Sequence, residues 1–199
     1  MNSAPLALPR PTSGMPTLAL IVGLLALPFL IAGSLYLGGW RPAQTANHGQ
    51  LISPPQPLPA TGLLGSDGQA LATTQLGGKW LLILAGSGPC PNDCAARIDE
   101  MRRLQVSLNK EMGRLRRVVL SDSADDSVLR DFPRRQPDLV VATMPPHWLP
   151  GTENSAEAAA YRLYIADPQG RLIMRYAPEV AGNAVRADLE RLLKFAWSG

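Results

Sequence analysis

Apolar and polar positions divide the chain into three regimes. From Leu18 to Leu37, twenty residues are Leu, Ile, Val, Ala, Gly or Phe except for Pro28, Ser34 and Tyr36, and residues 11–40 contain no Asp, Glu, Lys or Arg. A helix rises about 1.5 Å per residue, so this run spans about 30 Å, the thickness of a bilayer core. Tyr36 and Trp40 stand at its far end, where amphipathic rings favour the headgroup region. A cleaved signal peptide would carry a shorter apolar core and an Ala-x-Ala-like site, and none is evident. Residues 17–40 are therefore expected to form one N-terminal transmembrane helix behind a tail of residues 1–16. Five prolines between Pro42 and Pro59, with Gln, Ala, Asn and Ser among them, predict an extended linker over residues 41–60.

Beyond Thr61 the pattern becomes that of a soluble domain. Leu63-Leu64 and Ala70-Leu71 flank the turn Gly65-Ser66-Asp67-Gly68 and predict a β-hairpin. The unbroken run Trp80 to Ala85, bounded by glycines, suits a strand buried on both faces. Ile98, Met101, Leu104, Leu108, Met112 and Leu115 recur every three or four residues, as one face of a helix requires, with Gly113 as a candidate stop. Val118-Val119-Leu120 predicts a second buried strand, and Asp125–Phe132 a short helix stopped by Pro133. Leu139–Ala142 reads as a short strand. Tyr161–Ile165 and Leu172–Tyr176 read as a hairpin joined by Asp167-Pro168-Gln169-Gly170, because Pro presets φ for a turn and Gly accepts φ > 0. Asn183 can cap a last helix striped by Val185, Leu189, Leu192 and Leu193. The expected domain, residues 61–199, is α/β, with a mixed sheet flanked by helices.

The net charge of +3 is small. No Lys/Arg block is interleaved with aromatics, which argues against nucleic acid as a partner. The basic stretch Arg97, Arg102, Arg103, Lys110, Arg114, Arg116 and Arg117 reads as the solvated face of a helix. His48, alone in the linker, reads as a solvated residue.

The candidate chemistry rests on Cys90-Pro91-Asn92-Asp93-Cys94, which holds the only two cysteines. The pair falls where the first core strand hands over to the first helix, the arrangement of thioredoxin-like folds. A helix start offers unpaired N–H groups and the positive end of a dipole, and both favour thiolate. Thiolates attack disulfides and bind soft metals such as Cu(I). A structural disulfide closing a small loop is the other possibility, although so short a loop constrains the unfolded chain little. Of the two histidines, His147 in the loop after Met144 is the candidate third metal ligand beside Cys90 and Cys94; Met144 itself reads as packing. Flanking charges, Arg10 and Arg41, barely decide orientation. A paired-cysteine site belongs on an oxidising side, so the domain is expected outside the cytoplasm, on the periplasmic side of a cell inner membrane.

These residues resemble the Sco/SenC family of membrane-anchored, copper-binding proteins that assist cytochrome c oxidase assembly. The resemblance covers about residues 61–197. It rests on Gly78–Gly86, on Cys90-Pro91-Asn92-Asp93-Cys94 and on Tyr164–Arg171, with the anchor and closing helix in support. It implies a thioredoxin-like fold, copper held by Cys90, Cys94 and a histidine ahead of the last hairpin, and a terminal oxidase subunit or copper or redox partner protein. The stretch Glu153–Ala160 carries no histidine, and Ala95 stands where the family often has proline. The resemblance therefore implies a divergent member that keeps the dithiol. Other functions consistent with these residues are a general extracytoplasmic thiol–disulfide oxidoreductase, with Cys90 attacking and Cys94 resolving, and a non-catalytic membrane interaction module. Thioredoxin-type enzymes carry a cis-proline ahead of this hairpin, where the chain has Ala158-Ala159-Ala160.

Overall fold

A computed structural model describes residues 14–39, 47–123, 126–149 and 160–195. The chain forms two compact units, residues 1–45 and 46–199.

The first unit contains helix α1, Met15–Leu37, with Pro at its first turn, where a missing N–H costs nothing, and Pro28 inside. None of its residues is buried, and its most apolar window has a mean hydropathy of 2.5. It is long and apolar enough to cross a membrane.

The second unit is built on a seven-stranded mixed sheet. In chain order its elements are β1 (Gln50–Pro57), β2 (Leu64–Gly65), α2 (Thr73–Leu76), β3 (Trp80–Gly86), α3 (Asn92–Ser107), β4 (Leu115–Ser121), α4 (Ser127–Arg135), β5 (Leu139–Thr143), β6 (Arg162–Ala166), β7 (Arg171–Arg175) and α5 (Gly182–Phe195). The strand order is β1-β7-β6-β3-β4-β5-β2. β3, β4 and β5 run parallel, and β6 lies antiparallel to β3.

The wholly apolar β3 is explained by its two faces. Trp80, Leu82 and Leu84 pack with Ile98, Met101 and Leu104 of α3, Leu129 and Phe132 of α4, and Val185, Leu189 and Leu193 of α5. Leu81, Ile83 and Ala85 point the other way, onto Leu58, Leu63, Leu76, Met144 and Leu149. Each fully buried Leu or Ile contributes roughly 1.5–3 kcal/mol of burial, so β3 anchors both layers.

Several expectations are corrected. The region expected to be linker through residue 60 supplies β1, which pairs antiparallel with β7 (Gln50 opposite Arg175, Pro57 opposite Arg171). Prolines are tolerated there because β1 is an edge strand. The hairpin expected at residues 63–71 is present but short: Leu64 bridges Ala70, the Leu71 N–H donates to the Leu63 carbonyl at 2.9 Å and the Gly65 N–H to the Gln69 carbonyl at 2.8 Å, and Leu64 and Gly65 also pair with β5. The helix after the cysteines ends at Ser107, and a 3₁₀ turn, Asn109–Arg114, leads into β4. α4 continues through Pro133, its last turn closed by the Gln136 N–H donating to the Phe132 carbonyl at 2.7 Å. The basic stretch is not one solvated helix face. Arg102 and Arg103 are exposed on α3, but Arg116 and Arg117 lie on β4. Arg117 is fully buried and donates to Gln105 Oε1 at 2.7 Å, Gln136 Oε1 at 2.5 Å and Asp138 Oδ2 at 2.7 Å.

His48 is exposed, as expected, but it does not lie in a free linker. Its backbone N–H and that of Gly49 donate to Asp188 Oδ2 of α5 at 2.9 and 3.0 Å, and its ring Nδ1 lies 3.2 Å from Asp188 Oδ1. Tyr176 donates its hydroxyl to Asp188 Oδ2 at 3.1 Å.

Candidate functional site

The register places one group of loops together. Gly86 of β3 is level with Ser121 of β4, Ser121 with Thr143 of β5, and Ala85 with Arg162 of β6. The segments that follow β3, β4 and β5, and Tyr161 just before β6, therefore gather at the carboxyl end of the parallel strands, where open α/β sheets build their sites.

The first of these segments carries the cysteines. Cys90 precedes α3, Pro91 caps it in extended conformation, and Cys94 lies in its first turn, its N–H donating to the Pro91 carbonyl at 2.9 Å. Cys90 and Cys94 are joined as a disulfide, with Cα atoms 5.6 Å apart. Both are buried, Cys90 at 7% exposure and Cys94 at 1%. Cys90 is thus the more exposed residue of the two, though both are buried. A cleft of about 430 Å³ lies beside Cys94, with Pro91, Asp93, Arg97, Glu100, Tyr161 and Pro178 among its other lining residues.

The loop is held from three sides. Gly88 takes φ +80°, a conformation that side chains resist. Its N–H donates to Asp122 Oδ1 at 2.6 Å, and its carbonyl accepts from the Ser121 hydroxyl at 3.1 Å and the Tyr161 hydroxyl at 2.9 Å. The Cys90 N–H donates to Asp126 Oδ2 at 2.5 Å, while Asp126 Oδ1 caps α4 by accepting from the Val128 and Leu129 N–H groups at 2.9 and 3.2 Å. The Tyr161 ring packs against the end of β3: a Cβ at Gly86 would stand 2.5 Å from it. Burial pushes the Tyr161 hydroxyl up to about 12 against a Ser121 hydrogen bond, and the Asp126 and Asp122 charges push the same way as burial. It therefore stays a protonated donor.

Electrostatically the site is divided. The α3 dipole favours a thiolate at its N-terminus. Asp93 in the first turn and the Asp122 and Asp126 carboxylates that grip the loop oppose one by like charge. A disulfide, or thiolates neutralised by a cation, suits these surroundings better than free thiolates.

The sequence located Cys90 and Cys94 and missed their supports, Asp122, Asp126, Ser121 and Tyr161. Asp126 had a readable signal, an Asp ahead of Ser-Val-Leu at a helix start, but nothing local ties it to Cys90. His147 lies exposed with φ +60° in the turn after β5, and Met144 is buried in the core layer opposite α3. Among the described residues no group of three or more His, Cys, Asp or Glu side chains is gathered so as to hold a metal ion. The stretch 153–160, where the Sco/SenC resemblance implies a histidine, lies outside the described residues except for Ala160.

Comparison with solved structures finds the same fold. Copper-bound yeast Sco1 aligns with a TM-score of 0.53 at 17% identity, over 71% of this chain and 90% of that one. Apo Sco1 of Thermus thermophilus aligns at 0.54 and 20%, over 75% and 99%. A putative protein disulfide isomerase of Bacteroides thetaiotaomicron aligns at 0.51 and 12%, over 74% and 94%. The resemblance to Sco proteins drawn from the sequence thus extends to the fold, which an isomerase-like protein shares. No curated protein matches the sequence. The family model described as "Transmembrane-like, thioredoxin-like, C-terminal domain" matches residues 80–196, and the chain belongs to that family.

Proposed function

We propose that this protein is a membrane-anchored, Sco/SenC-like assistant of cytochrome c oxidase assembly, in which Cys90 and Cys94 alternate between disulfide and dithiol. The reduced pair either passes electrons to cysteines of an oxidase subunit or carries Cu(I) to it. The observation that carries this proposal is the seating of the pair: a closed disulfide at the β3–α3 junction, at the carboxyl end of the parallel strands, gripped by Asp122 and Asp126. Two thiolates are soft ligands suited to Cu(I), and a cation relieves the like-charge conflict with those carboxylates. An apolar helix fit to anchor the chain, and a disulfide that needs an oxidising compartment, support a single-pass inner-membrane protein with its domain on the periplasmic side.

Anaerobic titration of the reduced full-length protein with Cu(I) tests the cargo. We expect one Cu(I) per chain, and none for Cys90→Ser. No uptake by the wild type would remove the copper role and leave the electron-transfer role. Weakened uptake by His147→Ala would make His147 a third donor; unchanged uptake would leave a two-sulfur site.

A second function, general thiol–disulfide exchange without copper, is favoured by one observation. No third ligand side chain is gathered at the pair among the described residues. Reduction of unrelated protein disulfides at rates matching those for oxidase peptides would select it.

A further inference from the structure

The two cysteines are mounted differently. Cys94 belongs to the first turn of α3 and packs in the core with Ile98 and Met101 of the same helix. Cys90 stands outside any regular element, on the segment between the end of β3 at Gly86 and the start of α3 at Asn92. Side chains from elsewhere in the chain fix that segment, and three of them converge on one residue. Ser121, the last residue of β4, and Tyr161, just before β6, both donate their hydroxyls to the Gly88 carbonyl, at 3.1 and 2.9 Å. Asp122 accepts the Gly88 N–H. Both hydroxyl donors are buried, so either would be left unpaired if the segment swung away. A Cβ at Gly88 would meet nothing within 4 Å, so glycine is required there by its φ of +80° and not by crowding. None of these bonds uses a sulfur atom, and all of them are therefore available to both the disulfide and the dithiol.

We propose that Tyr161 and Ser121 are positioning residues that tune the disulfide–dithiol equilibrium of Cys90 and Cys94: by holding the Gly88 carbonyl they keep the Cys90 segment beside α3 after reduction. This rests on the redox role proposed above and names what regulates it. Reduction breaks the Cys90–Cys94 bond. Two electrons and two protons reach the two sulfurs from a partner dithiol, which itself becomes a disulfide. Closure is the reverse, and its equilibrium constant follows the effective concentration of one thiol at the other. A segment already held in the closed geometry gives up little conformational freedom on closing, whereas a free one would dilute Cys90 around Cys94 and favour the dithiol. The clamp on Gly88 therefore makes the pair a weaker oxidant than the same cysteines would be on an unheld segment. It acts through freedom of movement, since neither hydroxyl is charged. Asp126 acts through charge, and the two effects separate experimentally.

The test equilibrates the full-length, detergent-solubilised protein anaerobically with graded ratios of reduced to oxidised dithiothreitol and counts thiols by alkylation. Tyr161→Phe combined with Ser121→Ala is expected to lower the closure constant about ten-fold, a midpoint about 30 mV higher. Tyr161→Phe alone should lower it about three-fold. Gly88→Ala opposes the backbone turn without removing a donor; it should shift the constant in the same direction, and it carries the test if the double variant fails to fold. Asp188→Asn, which loosens the domain away from the pair, should leave the constant in place. The alkylation pH profile of reduced Cys90 should not move in the double variant, and a shift there would assign the change to charge and overturn the proposal. An unchanged constant in both the double variant and Gly88→Ala, or an equal fall in Asp188→Asn, overturns it while leaving the redox function standing. A wild-type disulfide that reduced dithiothreitol does not open overturns both.

Discussion

Two buried aspartates hold this domain together in the same way and to different ends. Asp188, 1% exposed, gathers the His48 and Gly49 N–H groups and the Tyr176 hydroxyl, and so fastens the entry of the chain onto α5 across 140 residues. Asp126, 7% exposed, gathers the Cys90 N–H together with the first N–H groups of α4. Both carboxylates accept charge-assisted bonds from backbone donors that would otherwise be buried unpaired. The difference lies in what they touch. Nothing around Asp188 changes its covalent state, so that aspartate contributes to stability alone. Asp126 grips Cys90, one half of the disulfide, so under the proposed function its charge bears on the disulfide–dithiol equilibrium as well as on the fold.

The largest effect is expected at Asp188. Asp188→Ala strands several buried donors and should cost about 3–5 kcal/mol in urea unfolding, with the disulfide's midpoint potential unchanged. A loss below about 1 kcal/mol would mean that the strand entry is held by β1–β7 pairing instead.

Next is Gly86→Val, which drives a side chain into the Tyr161 ring. A cost of about 1–3 kcal/mol in the same assay is expected, and a neutral result would show that Tyr161 can leave its place over β3 without penalty.

Asp126→Asn keeps size and removes charge. It should cost about 1–2 kcal/mol, move the alkylation pH profile of reduced Cys90 to lower pH, and make the pair more oxidising, because losing a nearby carboxylate stabilises thiolate. Asp188→Asn should leave that profile in place, and matching shifts in both variants would erase the distinction between the two aspartates.

The smallest effect is alkaline. Burial holds Tyr161 at about 12 and Tyr176 well above its ordinary value of 10, with Asp188 charge and hydrogen bonding adding to the latter. A tyrosine whose folded pKa lies above its unfolded one stabilises fully below pH ~10, and that contribution is lost as pH rises through its folded value. Stability should therefore fall between pH 10 and 12. Tyr161→Phe should flatten part of that fall while costing about 1 kcal/mol at neutral pH, and an unaltered alkaline slope would show that Tyr161 does not carry it.

The sequence was most legible where local pattern and tertiary role coincide. The apolar run of β3, the turn at Asp167, whose carboxylate accepts from the Gln169 and Arg171 N–H groups, and the Val185, Leu189 and Leu193 stripe of α5 all stand as their residues imply. It was opaque where a residue's partner lies far along the chain. β1 looks like linker because its prolines break local pattern, and only pairing with β7 makes it a strand. Arg117 looks solvated among other arginines, until Gln105, Gln136 and Asp138 close around it. At the site, spacing revealed the cysteine pair, while the carboxylates that grip it reach it only through the parallel register of β3 and β4.

The most direct test is a redox titration of the full-length protein, with thiols counted by alkylation. Reversible cycling of Cys90 and Cys94 predicts one two-electron transition that frees both thiols together, with a midpoint above about −300 mV. A pair still oxidised below about −300 mV would make the disulfide a structural staple and contradict the proposed function.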